Sequence, residues 1–170
     1  MAGTTYRRCH HAIDLSPHIV DQVLFPHKVI LKQPFKKIPF ESIQWFNKSL
    51  NLQQKLAVVA SLKGHSRPTP YIIFGPPGTG KTVTIVESIL QVFDKLGDSR
   101  IIACTAANSS ADLIAQKLLE SGRVSETDLI RVSALHRMNS IPEAVKKITQ
   151  SADEDEKKWI YHRIIVTTTS

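Results

Sequence analysis

The chain has 170 residues, 42% of them hydrophobic and 22% charged, which gives one domain with its own core rather than a disordered or fibrous polymer. Its formal net charge of +7 at pH 7 suits an anionic partner such as nucleic acid, and equally a basic protein with no such partner. Two cysteines make no disulfide framework, Met1 to Arg8 hold no apolar leader, and no apolar run nears the ~18 residues of a membrane span, so we expect a soluble intracellular protein with no membrane partner.

Residues 1–48 show no sustained period and read as a connecting segment or the end of a preceding domain. Short strands fit Leu24-Phe25 and Val29-Ile30-Leu31, punctuated by Pro26, Pro34 and Pro39. Cys9, His10, His11 and His18 match no zinc-ligand spacing and read as surface side chains. From Leu50 the pattern becomes regular. Apolar residues at 52, 56, 59 and 60 make a helical stripe ended by Pro68 and Pro70, and Tyr71-Ile72-Ile73-Phe74 reads as a buried strand. A helix follows with Val83, Val86, Ile89, Leu90 and Phe93 on one face, stopped at Gly97-Asp98. Arg100 to Cys104 is the next strand. Ser109 and Asp112 resemble a capping box for a helix running to about Glu120 and ended by Gly122. Leu129 to Val132 reads as a strand, Ser140-Ile141-Pro142-Glu143 as a capped helix start, Asp153 to Lys158 as a solvated stretch, and Arg163 to Thr167 as a last strand. Strands alternating with helices predict an α/β fold with a parallel sheet and right-handed crossovers.

The motif that carries chemistry is Gly75-Pro76-Pro77-Gly78-Thr79-Gly80-Lys81-Thr82, which fits G-x-x-x-x-G-K-[ST] between a predicted strand and a predicted helix. Gly78 and Gly80 let the backbone aim N–H groups at phosphate oxygens, and the helix adds its positive end. Lys81 is expected to reach the β- and γ-phosphates of ATP, and the Thr82 hydroxyl to take one Mg²⁺ position. Hydrolysis also needs a carboxylate at a second strand end; Asp153-Glu154 and Asp155-Glu156 follow no apolar strand and do not qualify. We therefore expect these 170 residues to bind nucleotide better than they hydrolyse it.

Upstream, Gln54 in Leu50-Asn51-Leu52-Gln53-Gln54 can both donate and accept, as adenine N6 and N7 require. Together with Asn108-Ser109-Ser110-Ala111-Asp112-Leu113 and Val166-Thr167-Thr168-Thr169-Ser170, the chain resembles the first RecA-like domain of superfamily 1 Upf-like RNA helicases. Arg67 to Thr84 looks most like the Moloney-leukaemia-virus-10 (Armitage-type) family. The likeness is specific over Leu50 to Leu119 and Arg163 to Ser170, so residues 49–170 are read as the N-terminal part of that domain, an incomplete P-loop NTPase unit. It implies an ATP-dependent 5′-to-3′ RNA helicase of cytoplasmic RNA silencing or messenger-RNA turnover, with a place in ribonucleoprotein granules and silencing or decay proteins as partners. It makes Gln54 the adenine contact, Gly75 to Thr82 the phosphate and Mg²⁺ site, and Asn108, Ser109, Thr167 and Thr168 contacts to the backbone of single-stranded RNA. From the residues alone, Asn108 and Ser109 serve equally as helix caps, and Thr167 and Thr168 as ordinary strand residues. Ala106-Ala107 stand where the family usually has proline and serine. The Asp-Glu motif and second RecA domain of such motors do not occur in these residues, which suits a helicase fragment or a non-catalytic nucleotide- and RNA-binding product. An AAA-type ATPase shares the Gly-Pro-Pro-Gly-Thr-Gly-Lys-Thr wording and is a third reading.

Overall fold

A computed structural model describes residues 2–16, 39–67, 69–152 and 156–169. Helix α1 (Ala2–Asp14) opens the chain, where the sequence pattern predicts only an irregular segment. The strands expected at Leu24-Phe25 and Val29 to Leu31, and His18, lie outside the described residues; Cys9, His10 and His11 are exposed on α1. A short 3₁₀ turn, Phe40–Ser42, leads to helix α2 (Leu52–Lys63). Asn51 and Gln54 cap α2 reciprocally, and Gly64 at φ 61° closes it in the left-handed conformation that glycine adopts cheaply. The glycine, and not Pro68 or Pro70, therefore ends the helix. Its buried residues are Val58, Val59 and Leu62, while Leu52 and Leu56 face solvent, so the apolar stripe is rotated from the predicted one.

Helix α3 (Lys81–Lys95) precedes strand β1 (Ile101–Thr105), helix α4 (Asn108–Glu120) and strand β2 (Leu129–Ser133). A 3₁₀ segment, Leu135–Ser140, and a single-turn helix α5 (Glu143–Lys146) lead to strand β3 (Thr149–Ser151). Pro142 stands at the N-cap of α5 without a side-chain cap, so Ser140 does not open the helix; its hydroxyl donates to the Arg137 carbonyl at 3.0 Å. Another 3₁₀ segment, Glu156–Tyr161, precedes strand β4 (Ile164–Thr168). The sheet order is β1-β4-β2-β3, and every neighbouring pair is parallel. This is the expected parallel α/β architecture, a partial RecA-like P-loop domain.

One core joins α3, α4 and the sheet: Val86, Ile89 and Leu90 meet Ala111, Ile114, Ala115 and Leu118 over Leu129, Ile164 and Val166. Each valine, leucine or isoleucine among them stabilises the fold by roughly 1.5–3 kcal/mol when fully buried. A smaller cluster, Ile43, Val59 and Leu62, ties α2 to the segment before it. Glu87 and Gln91 of α3 fasten that segment: the Glu87 carboxylate accepts from the backbone N–H of Phe46 (3.1 Å) and Asn47 (3.0 Å), and Gln91 donates to the Gln44 carbonyl at 2.7 Å. Arg163, just before β4, donates to the carbonyls of Phe93 (2.9 Å) and Leu96 (3.1 Å) at the end of α3 and lies over the Phe93 ring. A cation at a helix C-terminus satisfies orphan carbonyls and the helix dipole together.

The predicted buried strand at Tyr71 to Phe74 is not one. The segment has no ladder partner among the described residues, and Ile72 is 82% and Phe74 92% exposed. An apolar run can be buried as a strand only where a neighbouring strand completes its hydrogen bonds. Among the described residues the four strands pair with one another, and β1 pairs with β4 alone.

Candidate nucleotide and nucleic-acid site

Because Arg163 pins the last turn of α3 to the start of β4, the first turn of α3 points toward the carboxyl edge of the parallel strands. That edge is where open α/β sheets hold their ligands. The glycine-rich loop sits at this end. Gly78 (φ 80°) and Gly80 (φ 81°) both lie in the left-handed region, and Gly80 is the N-cap of α3. A Cβ at Gly80 would stand 2.6 Å from Gln54 Nε2, and one at Gly75 would stand 2.6 Å from Thr79 Oγ1. Gly80 therefore answers to both conformation and space, Gly78 to conformation alone and Gly75 to space alone. Thr79 donates its hydroxyl to the Pro76 carbonyl at 2.8 Å, and Thr84 donates to the Gly80 carbonyl at 3.0 Å. Lys81 Nζ lies over the loop, donating to the carbonyls of Gly75 (2.5 Å) and Pro76 (2.7 Å). Thr82, half-buried, is the second residue of α3, and Pro77 is exposed at the tip.

Gln54 joins this loop from α2. Its Nε2 donates to the Thr79 carbonyl at 3.2 Å, while its Oε1 accepts from the Asn51 N–H at 2.9 Å. The loop, the lysine, a hydroxyl and an amide thus meet at one helix N-terminus, a donor set suited to a phosphate chain with its cation.

The other predicted site residues stand on the same edge. Parallel register pairs Cys104 with Thr167 and Thr105 with Thr168, and the Thr169 N–H donates to the Thr105 carbonyl at 3.0 Å. Two residues beyond β1, the N-cap of α4 is Ala107, with no side-chain cap. Asn108 and Ser109 are thus the first two helical residues and not caps, and Ser109-x-x-Asp112 is not a capping box. Asp112 is instead buried one turn in. It takes Arg131 Nε on Oδ1 at 2.9 Å and Arg137 Nη2 on Oδ2 at 3.0 Å. Arg131 Nη2 also donates to Asn108 Oδ1 at 2.9 Å, and Nη1 to the Val132 carbonyl.

Sequence reasoning missed this cluster. Its signal was an arginine inside the apolar run Leu129-Ile130-Arg131-Val132, because a charge on a fully buried strand requires a partner. Among the described residues no group of three or more His, Cys, Asp or Glu is placed to hold a metal ion, and no helix is long and apolar enough to cross a membrane.

A family model described as an AAA domain matches residues 49–168. Human RNA helicase Mov10l1 is 36% identical over 98% of this chain and 19% of its own length. Its mouse counterpart is 48% identical over 75% of this chain and 11% of its own length. The probable RNA helicase armi of Drosophila melanogaster is 33% identical over 88% and 14% respectively. The chain thus spans less than a fifth of the length of these relatives. The family model carries the name of the third reading above, and these relatives carry that of the first; the loop wording is common to both. The chain belongs to the family of this AAA-domain model and to the Upf-like superfamily 1 helicases.

Proposed function

We propose that this chain is the ATP- and Mg²⁺-binding part of an ATP-dependent RNA helicase that acts on single-stranded RNA in silencing or messenger-RNA turnover in the cytoplasm. The supporting observation is the glycine-shaped loop at the start of α3, on the same sheet edge as Asn108, Ser109, Thr167 and Thr168. In this reading Lys81 exchanges the Gly75 and Pro76 carbonyls for β- and γ-phosphate oxygens, and Thr82 holds Mg²⁺. When bound, the ion screens charge on the phosphates; the chain's own part is to position them with glycine backbone, ammonium and hydroxyl.

None of the four described strands ends on a carboxylate, so residues 1–170 alone are expected to bind ATP without turning it over. The relatives named as RNA helicases supply the RNA part of the proposal.

Titration of the 170-residue chain with a fluorescent ATP analogue and Mg²⁺ tests the site. Lys81→Ala removes the one ammonium on the loop and should weaken binding about 10- to 100-fold, the effect of losing a charge-assisted hydrogen bond. Equal affinity in the variant would remove Lys81 from the site. An RNA-stimulated ATPase rate above that of Lys81→Ala would show that the chain has a catalytic carboxylate.

A further inference from the structure

We propose that Arg131 is a positioning residue for nucleic-acid binding: it fixes the rotation of the Asn108 amide so that its N–H donors face the carboxyl edge of the sheet. The proposal rests on the reading of Asn108 as an RNA-backbone contact.

A guanidinium has donors and no acceptor. When Arg131 Nη2 meets the Asn108 side chain at 2.9 Å, the atom it meets must be Oδ1, and Nδ2 must point away. No described residue takes Nδ2 in a hydrogen bond. Asn108 is half-buried at the first turn of α4, so the two N–H donors lie beside the uncapped backbone N–H groups of that turn. Acceptor inward and donors outward is the orientation that a phosphate or ribose oxygen requires; a flipped amide would present its carbonyl to the anion.

Arg131 can hold this orientation because it is itself held. Its side chain is 0% exposed, Asp112 takes Nε, and the Val132 carbonyl takes Nη1. The third nitrogen is therefore aimed by two fixed bonds on a rigid strand. Arg137, on the second oxygen of Asp112, adds one positive charge that the Arg131–Asp112 pair leaves unbalanced. An arginine fork suits this arrangement, whereas a lysine ammonium can pair with Asp112 but cannot span Asp112, Val132 and Asn108 together.

The test uses the full 170-residue chain and a fluorescein-labelled single-stranded oligouridylate at low salt, read by anisotropy, with ATP-analogue affinity measured in parallel. Asn108→Ala and Arg131→Lys are each expected to weaken RNA binding about 5- to 10-fold, the net size of one ordinary hydrogen bond. ATP affinity should stay within about twofold, and the double variant should bind RNA no worse than Asn108→Ala, because Arg131 acts through that amide. Unchanged RNA affinity in Arg131→Lys beside a weakened Asn108→Ala overturns the positioning role and leaves the function standing. A double variant weakened by the product of the two single effects overturns it as well. No RNA binding by the parent chain, or none lost in Asn108→Ala, overturns the function and the positioning role together. Should Arg131→Lys fail to fold, Asn108→Asp decides: it keeps an acceptor that faces Arg131 and puts a negatively charged acceptor where the outward donors stood. RNA binding in that variant should fall at least as far as in Asn108→Ala, and parental binding would refute the proposal.

Discussion

Replacing Gly80 with alanine separates two reasons why a glycine stands there. The first is conformation: at φ 81° a side chain costs roughly 1–2 kcal/mol. The second is space, because the new Cβ would lie 2.6 Å from Gln54 Nε2, which must swing away and give up its bond to the Thr79 carbonyl, a loss of about 1 kcal/mol. The sum is roughly 2–3 kcal/mol. For a chain of this size it lowers Tm by about 4–12 °C in thermal unfolding followed by circular dichroism. Gly78 shares the positive φ (80°) but has nothing within 4 Å of its Cβ position, so Gly78→Ala should show only the conformational part. Gly97 has neither feature, and alanine there should change stability by no more than about 0.5 kcal/mol. In a Gln54→Ala background the cost of Gly80→Ala should shrink to that of Gly78→Ala. A Gly80 variant as stable as the Gly97 variant, or a cost indifferent to Gln54, would refute the reasoning.

Arg163→Ala should cost roughly 2–3 kcal/mol, since it frees the Phe93 and Leu96 carbonyls and removes the guanidinium from the Phe93 ring; urea unfolding with an unchanged m-value measures this. Glu87 is 1% exposed, and Glu87→Gln turns an N–H donor toward a backbone N–H of Phe46 or Asn47, so a loss of about 1–3 kcal/mol is expected by the same method; a change under about 0.5 kcal/mol would mean that α3 does not fasten this segment. Phe74→Ser should alter stability by no more than about 0.5 kcal/mol, where a buried strand phenylalanine would cost about 3–5 kcal/mol; a melt of the two chains side by side decides.

How much was legible in the sequence follows from what each pattern measures. The run Val86, Ile89, Leu90 has helical spacing, and those residues do line the core, because amphipathicity reports a face that a helix carries with it. The Tyr71 to Phe74 run failed for a complementary reason. A continuous apolar run reports what a segment could bury, while a strand also needs a partner backbone, which no local pattern contains. Strand β3 was missed because Thr149-Gln150-Ser151 has no apolar pattern; it forms by pairing with Arg131 to Ser133. The loop was legible because its glycines answer to local conformation. The Asp112–Arg131–Asn108 cluster was not, since it joins residues on a strand and a helix that only the crossover brings together.

The same distinction between local and tertiary demands sharpens the role of Gln54. One lone pair of its Oε1 closes the capping box on Asn51, and one Nε2 hydrogen reaches Thr79. A primary amide has two of each, so one acceptor site and one donor hydrogen remain. Those two are the number that the N6/N7 edge of an adenine needs, so capping, holding the loop and reading the base do not compete for the same atoms. Under the proposed function a base drawn to Gln54 therefore engages the side chain that already holds the carbonyl of Thr79, one residue before the glycine that caps α3. Base recognition and the shape of the phosphate loop are then coupled through a single amide, a coupling that a sequence motif of separate boxes does not reveal.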